Sequence, residues 1–308
     1  MSIVLVSTSR NPEQWATTLK NKNESLDVQI YPEVDRPQDV EFAISWKHPE
    51  GLYKDYPNLK VIASMGAGVN HILKDDNLPE GVKVTRIVDE QLTKDMSYFV
   101  LLQCLAFSRN LFHHLQDQAT KTWKVKSYQT PENTSVGIMG YGVLGQAAGQ
   151  VLKANGFQVC GYANFSKTVD GITVYGADQL DSFLKNTQIL VCLLPVTSET
   201  KGILTLELFR KLKPNAYLIN VARGEHLVES DLISALEQDI IAGASLDVFQ
   251  EEPLPESHPF WNHPKIQITP HIASMTDPES VANQLLENYK RMQNGESLLN
   301  EVDVSKGY

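Results

Sequence analysis

Short blocks of apolar residues alternate with longer segments of helical period along the whole chain. The first third carries IVLVS, VQIY, FAISW, KVIASM and VKVTRIV. Such runs, apolar throughout rather than at every second position, predict strands buried on both faces of a parallel sheet. A second series follows: TSVGIMG, QVCGY, TQILVCLLP, NAYLINVARG, IAGASLDVF and KIQITPH. Strands alternating with helical segments define an α/β chain, and two series predict two doubly wound parallel sheets. Between them, DMSYFVLLQCLAFSRNLFHHLQDQATKTW reads as one long helical segment leading from the first domain to the second. Near the end, Val281, Leu285, Leu286, Tyr289 and Met292 recur at helical spacing, with Asp277 as N-cap and Pro278 in the first turn. That helix is predicted to return to the first domain, which then comprises residues 1–100 and 285–308 around a second domain at 101–284.

Composition narrows the function classes. With 308 residues, 42% hydrophobic and 21% charged, the chain has the balance of a globular protein long enough for two domains. Its formal net charge of −10 argues against a nucleic-acid partner, which needs a basic surface, but leaves room for a small anion held by one local cation. Cys104, Cys160 and Cys192 lie far apart and follow neither a disulfide framework nor metal-ligand spacing, so no metal is expected and the compartment reads as reducing. MSIVLVSTSR reads as a strand rather than a signal peptide, and blocks such as YFVLLQCLAF are too short to span a bilayer. A cytoplasmic protein without a membrane partner is expected.

The stretch GIMGYGVLGQ holds Gly140, Gly142 and Gly145 in the pattern G-x-G-x-x-G, with a predicted strand before it and a helix after it. In that context the first glycine permits a tight turn, the second lets the backbone approach a pyrophosphate, and the third lets helix and strand pack closely. The helix N-terminus then offers free N–H groups to phosphate. About 20 residues on, an NAD-binding chain carries an acid for the ribose 2′-hydroxyl. Here the strand ends in Tyr162, Ala163 and Asn164. Ala163 removes the charge that would repel a 2′-phosphate, while Asn164, Ser166 and Lys167 offer donors and one positive charge from what reads as a loop. NADPH is the expected cofactor. The arginine usual in NADP-binding chains is absent, so NADH stays open as an alternative.

The later strands of the second series deliver polar residues to one edge: Arg223 after NAYLINVA, Asp247 and then Glu252 after IAGASL, and His271 after KIQITP. Open parallel sheets bind ligands outside the carboxyl ends of their strands. A guanidinium grips a carboxylate and a carbonyl together in planar geometry. An imidazolium delivers a proton near neutral pH, and a neighbouring carboxylate favours and orients the protonated ring. Arg223 as clamp, His271 as acid and Glu252 as its partner therefore suit hydride transfer to a small anionic 2-keto acid. In the first domain, Gly66, Ala67 and Gly68 form a turn whose N–H groups make an anion nest for the substrate carboxylate, and Trp46 ends a strand on the same expected edge. Two rivals remain at this point: a reductase of bulkier 2-keto acids, and a dinucleotide-sensing binding protein without turnover.

GYGVLG, LLPVTSETKGIL, INVARGEHLVESDLISAL, LDVFQEEPLP and ITPHIAS together resemble the D-isomer-specific 2-hydroxyacid dehydrogenases, in the family's order and over nearly the whole chain. The resemblance implies a flavodoxin-like substrate domain and a Rossmann dinucleotide-binding domain with a cleft between them, and a homodimer formed through the latter. It implies Arg223, Glu252 and His271 as the catalytic set and the backbone of Ala67 and Gly68 as the carboxylate seat. Cofactor contacts are implied at Tyr141, Gly142, Val143, Leu144, Leu194, Pro195, Val221, Ala222, Asp247 and Ala273. Glu252 stands where formate dehydrogenases of the superfamily carry Gln. MGAGVNHIL and DVFQEEPLPESHPFWNHPKIQITPHIA are similar to the branch that reduces glyoxylate and hydroxypyruvate to glycolate and D-glycerate, with Asn70 where that branch usually has Asp.

Overall fold

The computed structural model describes residues 2–8 and 10–304. The chain forms two compact units, one from residues 1–92 and 275–308, the other from residues 93–274. Their joins fall at Leu92/Thr93 and Ser274/Met275, where the sequence reading set them at 100/101 and 284/285. The difference arises because each linking helix lies almost wholly with one unit.

The first unit is a five-stranded sheet built from β1 (Ser2–Ser7), β2 (Val28–Ile30), β3 (Val40–Trp46), β4 (Val61–Ser64) and β5 (Lys83–Thr85). The order is β2-β1-β3-β4-β5, the flavodoxin-like arrangement, and all its named strands pair in parallel. Ile3 to Val6 of β1 are at most 1% exposed, as a central strand covered on both faces requires. Helix α1 (Pro12–Lys22) starts at Asn11, whose side chain accepts the Glu13 N–H at 3.1 Å. A single-turn helix, α2 (Asn70–Leu73), follows β4.

The second unit begins with α3 (Glu90–Ser108) and α4 (Leu111–Ala119). These replace the single long helical segment expected from the sequence: Asn110 takes a left-handed φ of 55°, a conformation asparagine tolerates better than most residues, and the chain turns there. Then come β6 (Ser135–Met139), α5 (Val143–Ala154), β7 (Gln158–Tyr162), β8 (Lys167–Val169), β9 (Ile172–Tyr175) and α6 (Leu180–Lys185). The unit continues with β10 (Ile189–Cys192), α7 (Leu206–Arg210), β11 (Ala216–Asn220), α8 (Glu229–Glu237), β12 (Ile241–Leu246) and β13 (Ile266–Ile268). The order is β13-β12-β11-β10-β6-β7-β9-β8. Apart from the outer strands this is the Rossmann order, with β6 and β10 at the point where the winding reverses.

Two strands go beyond the sequence reading. β8 and β9 form an antiparallel hairpin closed by Asp170 and Gly171, both with positive φ (49° and 73°). Asp-Gly is a turn signal for such hairpins, so VDGI carried the information. Along β10, Ile189 and Val191 enter the core under α3 and α5, whereas Leu190 and Cys192 enter the core under α6–α8. Period-two burial on both faces is why this strand reads as an unbroken apolar run. Each such leucine or isoleucine contributes about 2 kcal/mol through burial.

The last helix, α9 (Pro278–Asn294), packs on α1 in the first unit. Asp277 accepts the Glu279 N–H at 3.2 Å, and Gly295 ends the helix at φ 69°. Tyr289 meets Phe42 of β3 edge-on at 5.8 Å. Beyond α9, the buried Asn288 side chain bonds the Leu299 N–H and carbonyl at 2.7 and 3.0 Å, and Val302 N donates to Val84 O at 2.8 Å beside β5. Among the described residues no helix is long and apolar enough to cross a membrane.

Candidate active site

The glycine turn after β6 has the shape its sequence requires. Gly140 has φ 97°, and a Cβ there would lie 2.5 Å from Leu193 O. Gly140 N and Tyr141 N both donate to Tyr162 O, at 3.0 and 3.1 Å, tying the turn to the end of β7. A Cβ on Gly145 would come within 2.2 Å of Gly140 O, so only glycine lets α5 start this close to the turn. At Gly142 a Cβ would meet nothing within 4 Å, leaving backbone that a phosphate can approach. The first-turn N–H groups of α5, from Val143 on, have no intrahelical acceptor.

Of the expected cofactor residues, Tyr141 and Asp247 have buried side chains and Lys167 lies in a strand. Tyr141 is 2% exposed, and its ring fills a slot between Gly149 and Gly161, where Cβ atoms would fall 2.4 and 2.5 Å from it. Only its main chain is left to face a ligand. Lys167 is not in a loop. It opens β8, paired with Val174, while Asn164 and Ser166 remain exposed in the link before it. Asp247 is 1% exposed, and both its oxygens are committed: Oδ1 accepts Thr269 Oγ1 (2.6 Å) and Ile272 N (2.9 Å), and Oδ2 accepts Ala273 N (2.9 Å). Burial raises its pKa and those three donors oppose the rise. It braces the loop on either side of His271. Of the others, Val221, Ala222 and Ala273 are buried, Leu144, Leu194 and Pro195 are half-buried and Val143 is exposed.

His271 follows β13 at φ 55°, with its N–H on Thr269 O at 3.1 Å. Its Nδ1 lies 2.9 Å from Glu252 Oε2, and Glu252 Oε1 accepts the Phe249 N–H at 3.1 Å. The carboxylate is thus fixed by backbone on one side and orients the ring on the other. Arg223 follows β11. Withdrawal from water lowers its pKa, opposed by the nearby charges of Glu252 and Glu225. Its Nη1 donates to Ala222 O.

The turn under Arg223 is held by residues the sequence reading did not single out. Asn220 Nδ2 donates to Arg223 O at 3.0 Å, and Asn220 Oδ1 accepts Ala222 N at 3.2 Å. The buried His226 places Nδ1 3.1 Å from Arg223 O and Nε2 3.2 Å from Pro195 O, joining this turn to the one after β10. Burial lowers the His226 pKa, with the two carbonyls opposing. Gly224 is pressed on the Phe249 backbone, where a Cβ would fall 1.9 Å from the carbonyl carbon. The signal lay in NVARGEH itself, but the partners of these residues are remote in sequence.

In the first unit, β4 runs into the turn Gly66–Gly68. Ser64 Oγ donates to Gly68 O at 2.8 Å and accepts Gly66 N at 3.1 Å, while Ile87 N donates to Gly66 O at 3.0 Å. Trp46, at the end of β3, lies over the turn, and a Cβ on Gly66 would come 2.9 Å from its Cζ3. His71 packs on the Trp46 ring at 4.6 Å, and its Nε2 lies 3.2 Å from Ser45 O. Asn70 opens α2 directly after the turn.

A glycine turn opening a helix at the reversal point of a Rossmann sheet, with an arginine and a histidine–carboxylate pair after neighbouring strands, defines a dinucleotide-binding α/β protein with acid–base equipment. Residues 101–273 match the family described as "D-isomer specific 2-hydroxyacid dehydrogenase, NAD binding domain", and the chain belongs to the D-isomer-specific 2-hydroxyacid dehydrogenases. It is similar to glyoxylate/hydroxypyruvate reductase A of Serratia proteamaculans, 39% identical over 100% of both chains. The fold is similar to an NADPH-dependent glyoxylate/hydroxypyruvate reductase of Sinorhizobium meliloti in complex with NADP and sulfate (TM-score 0.93, 35% identity, 100% of both chains). It is equally similar to a D-isomer specific 2-hydroxyacid dehydrogenase of Xanthobacter autotrophicus in complex with NADPH and MES (TM-score 0.93, 36% identity, 100% of this chain and 99% of the other).

Proposed function

We infer that the chain is an NADPH-dependent reductase of glyoxylate and hydroxypyruvate. The observation that carries this reading is the His271–Glu252 pair at 2.9 Å, with the Glu252 charge beside Arg223, at the edge of a Rossmann sheet. Full-length relatives named for these substrates support it. The open backbone at Gly142 fits a bound dinucleotide. The Gly140–Gly145 turn and the start of α5 would hold the pyrophosphate, with main chain at Tyr141, Val221, Ala222 and Ala273 and the Leu194–Pro195 turn along the rest. The nicotinamide, when bound, supplies a hydride to the keto carbon. Arg223 grips the substrate's carboxylate and carbonyl oxygens, polarising the bond under attack. Glu252 holds His271 by Nδ1, which leaves Nε2 to carry the proton to the carbonyl oxygen. Within the first unit, the N–H groups of Ala67 and Gly68 remain the proposed seat for a carboxylate.

Ala163, Asn164, Ser166 and Lys167 favour the 2′-phosphate of NADPH over the bare ribose of NADH. Values of kcat/KM for glyoxylate and hydroxypyruvate with each cofactor test both parts. NADPH is expected to be the better donor, and Lys167→Glu to raise the KM for NADPH several-fold more than that for NADH. Equal effects would remove Lys167 from cofactor choice, and no turnover of any 2-keto acid would sink the reductase reading.

A homodimer is also part of this reading. Tyr98, Leu102, Leu111, Leu115, Val125 and Tyr128 are exposed along α3, α4 and the segment after them, and Trp123 is 98% exposed. That segment is not loose, since Asn110 Nδ2 bonds Ser127 O at 2.7 Å and Gln129 N bonds Ser108 O at 3.1 Å. These ordered, exposed apolar side chains support an interface there. Light scattering at micromolar concentration should give twice the chain mass of 34.4 kDa; a monomer's mass would refute the pairing.

A further inference from the structure

Arg10 lies at the crevice of the first sheet. In the order β2-β1-β3-β4-β5 the winding reverses between β1 and β3, and open α/β sheets take ligands at that point, outside the carboxyl ends of the strands. Three segments meet there: the link after β1, Trp46 at the end of β3, and the turn after β4. Arg10 N donates to Ser7 Oγ at 2.8 Å, which ties the residue to the end of β1. The guanidinium carbon sits 3.8 Å from the centroid of the Trp46 ring, and Nη1 donates to Met65 O at 2.7 Å. Nη2 is 3.8 Å from the point a Cβ on Gly66 would occupy. Ring face and carbonyl therefore hold the cation at the rim of the Gly66–Gly68 turn.

The turn is already furnished for one carboxylate. Ser64 accepts the Gly66 N–H at 3.1 Å, which leaves the Ala67 and Gly68 N–H groups as the nest. A guanidinium has five donors in a rigid fork and is pre-organised further by stacking on an aromatic ring. A fork fixed at the rim of a one-carboxylate seat is placed for another acceptor on the same substrate. We propose that Arg10 recognises a second anionic group, so that the chain prefers 2-keto acids bearing a carboxylate beyond the carbonyl carbon over matched substrates ending in methyl. The proposal rests on the reductase reading. Hydroxypyruvate, with a hydroxyl in that position, presents a weaker acceptor to the same donors, and glyoxylate presents none.

Oxaloacetate and 2-ketobutyrate are a matched pair, one carrying a terminal carboxylate where the other has a methyl group. The wild-type ratio of their kcat/KM values should favour oxaloacetate. Arg10→Met should lower that ratio at least tenfold, and Arg10→Lys, which keeps the charge and loses the fork, should lower it less. A parallel fall for both substrates, or an unchanged ratio, would overturn the proposal and leave Arg10 as a prop of the turn. Calorimetric titration of D-malate and D-2-hydroxybutyrate into the NADPH-loaded protein reads the same preference without turnover. Tighter D-malate binding that Arg10→Met abolishes would support the proposal even if no keto acid were reduced, an outcome that would sink the reductase reading alone. Equal affinities in the wild type would overturn the proposal.

Discussion

Replacing His271 with alanine should cut turnover of glyoxylate by two to four orders of magnitude, while NADPH still binds. The size is that of losing a positioned general acid, about 10²–10⁴-fold. Alanine removes the ring that Glu252 holds at 2.9 Å but leaves the loop, because Asp247 grips Thr269, Ile272 and Ala273 through atoms that do not include the imidazole. The left-handed φ of 55° at residue 271 calls for a control. His271→Asn suits that conformation better and equally lacks the acid, so both variants should lose turnover together. Fluorescence titration with NADPH separates chemistry from binding. Turnover within a few-fold of wild type in either variant would show that His271 is not the acid.

The second large effect is expected at Arg223. Arg223→Ala should lower kcat/KM for both keto acids by about 10²–10³-fold, the range seen when a donor aimed at developing oxyanion charge is removed. Arg223→Lys should recover only part of it, because an ammonium matches a planar carboxylate poorly. The turn carrying Arg223 is fixed independently of its side chain, through Asn220, His226 and the glycine that lies against Phe249. A fall in activity can therefore be assigned to the guanidinium rather than to collapse of the loop. Unchanged kcat and KM would refute the clamp.

Much of this was legible in the residues. The glycine turn worked because each glycine has a local reason: a positive φ at Gly140, and close backbone contact at Gly145. The central strands were legible because burial on both faces leaves an unbroken apolar run. The polar residues at the strand ends stood out against those runs. What escaped was short or non-local. β8 spans three residues, Lys167–Val169, too few to show a period, so its lysine read as loop. The break at Asn110 interrupts a pattern that stays amphipathic on both sides. Tyr141 sits inside a cofactor motif, and only Gly149 and Gly161, remote in sequence, reveal that its ring faces the core. His226 is one histidine among eight, and its work depends on the Pro195 carbonyl, which no spacing rule brings beside it.

The return of α9 to the first sheet also has a temporal side. Synthesis runs from the amino end, so the Rossmann unit has all its residues once Ser274 has left the ribosome. The unit begun first is finished last. Its opening strands and α1 must wait for the helix from Pro278 that covers them and for Val302, which bonds the carbonyl of Val84. Until then β1 and β3, among the most apolar segments of the chain, lack part of their covering layer. The nascent chain thus holds part of its first sheet uncovered after the Rossmann unit is complete, until the segment from Pro278 to Val302 has emerged.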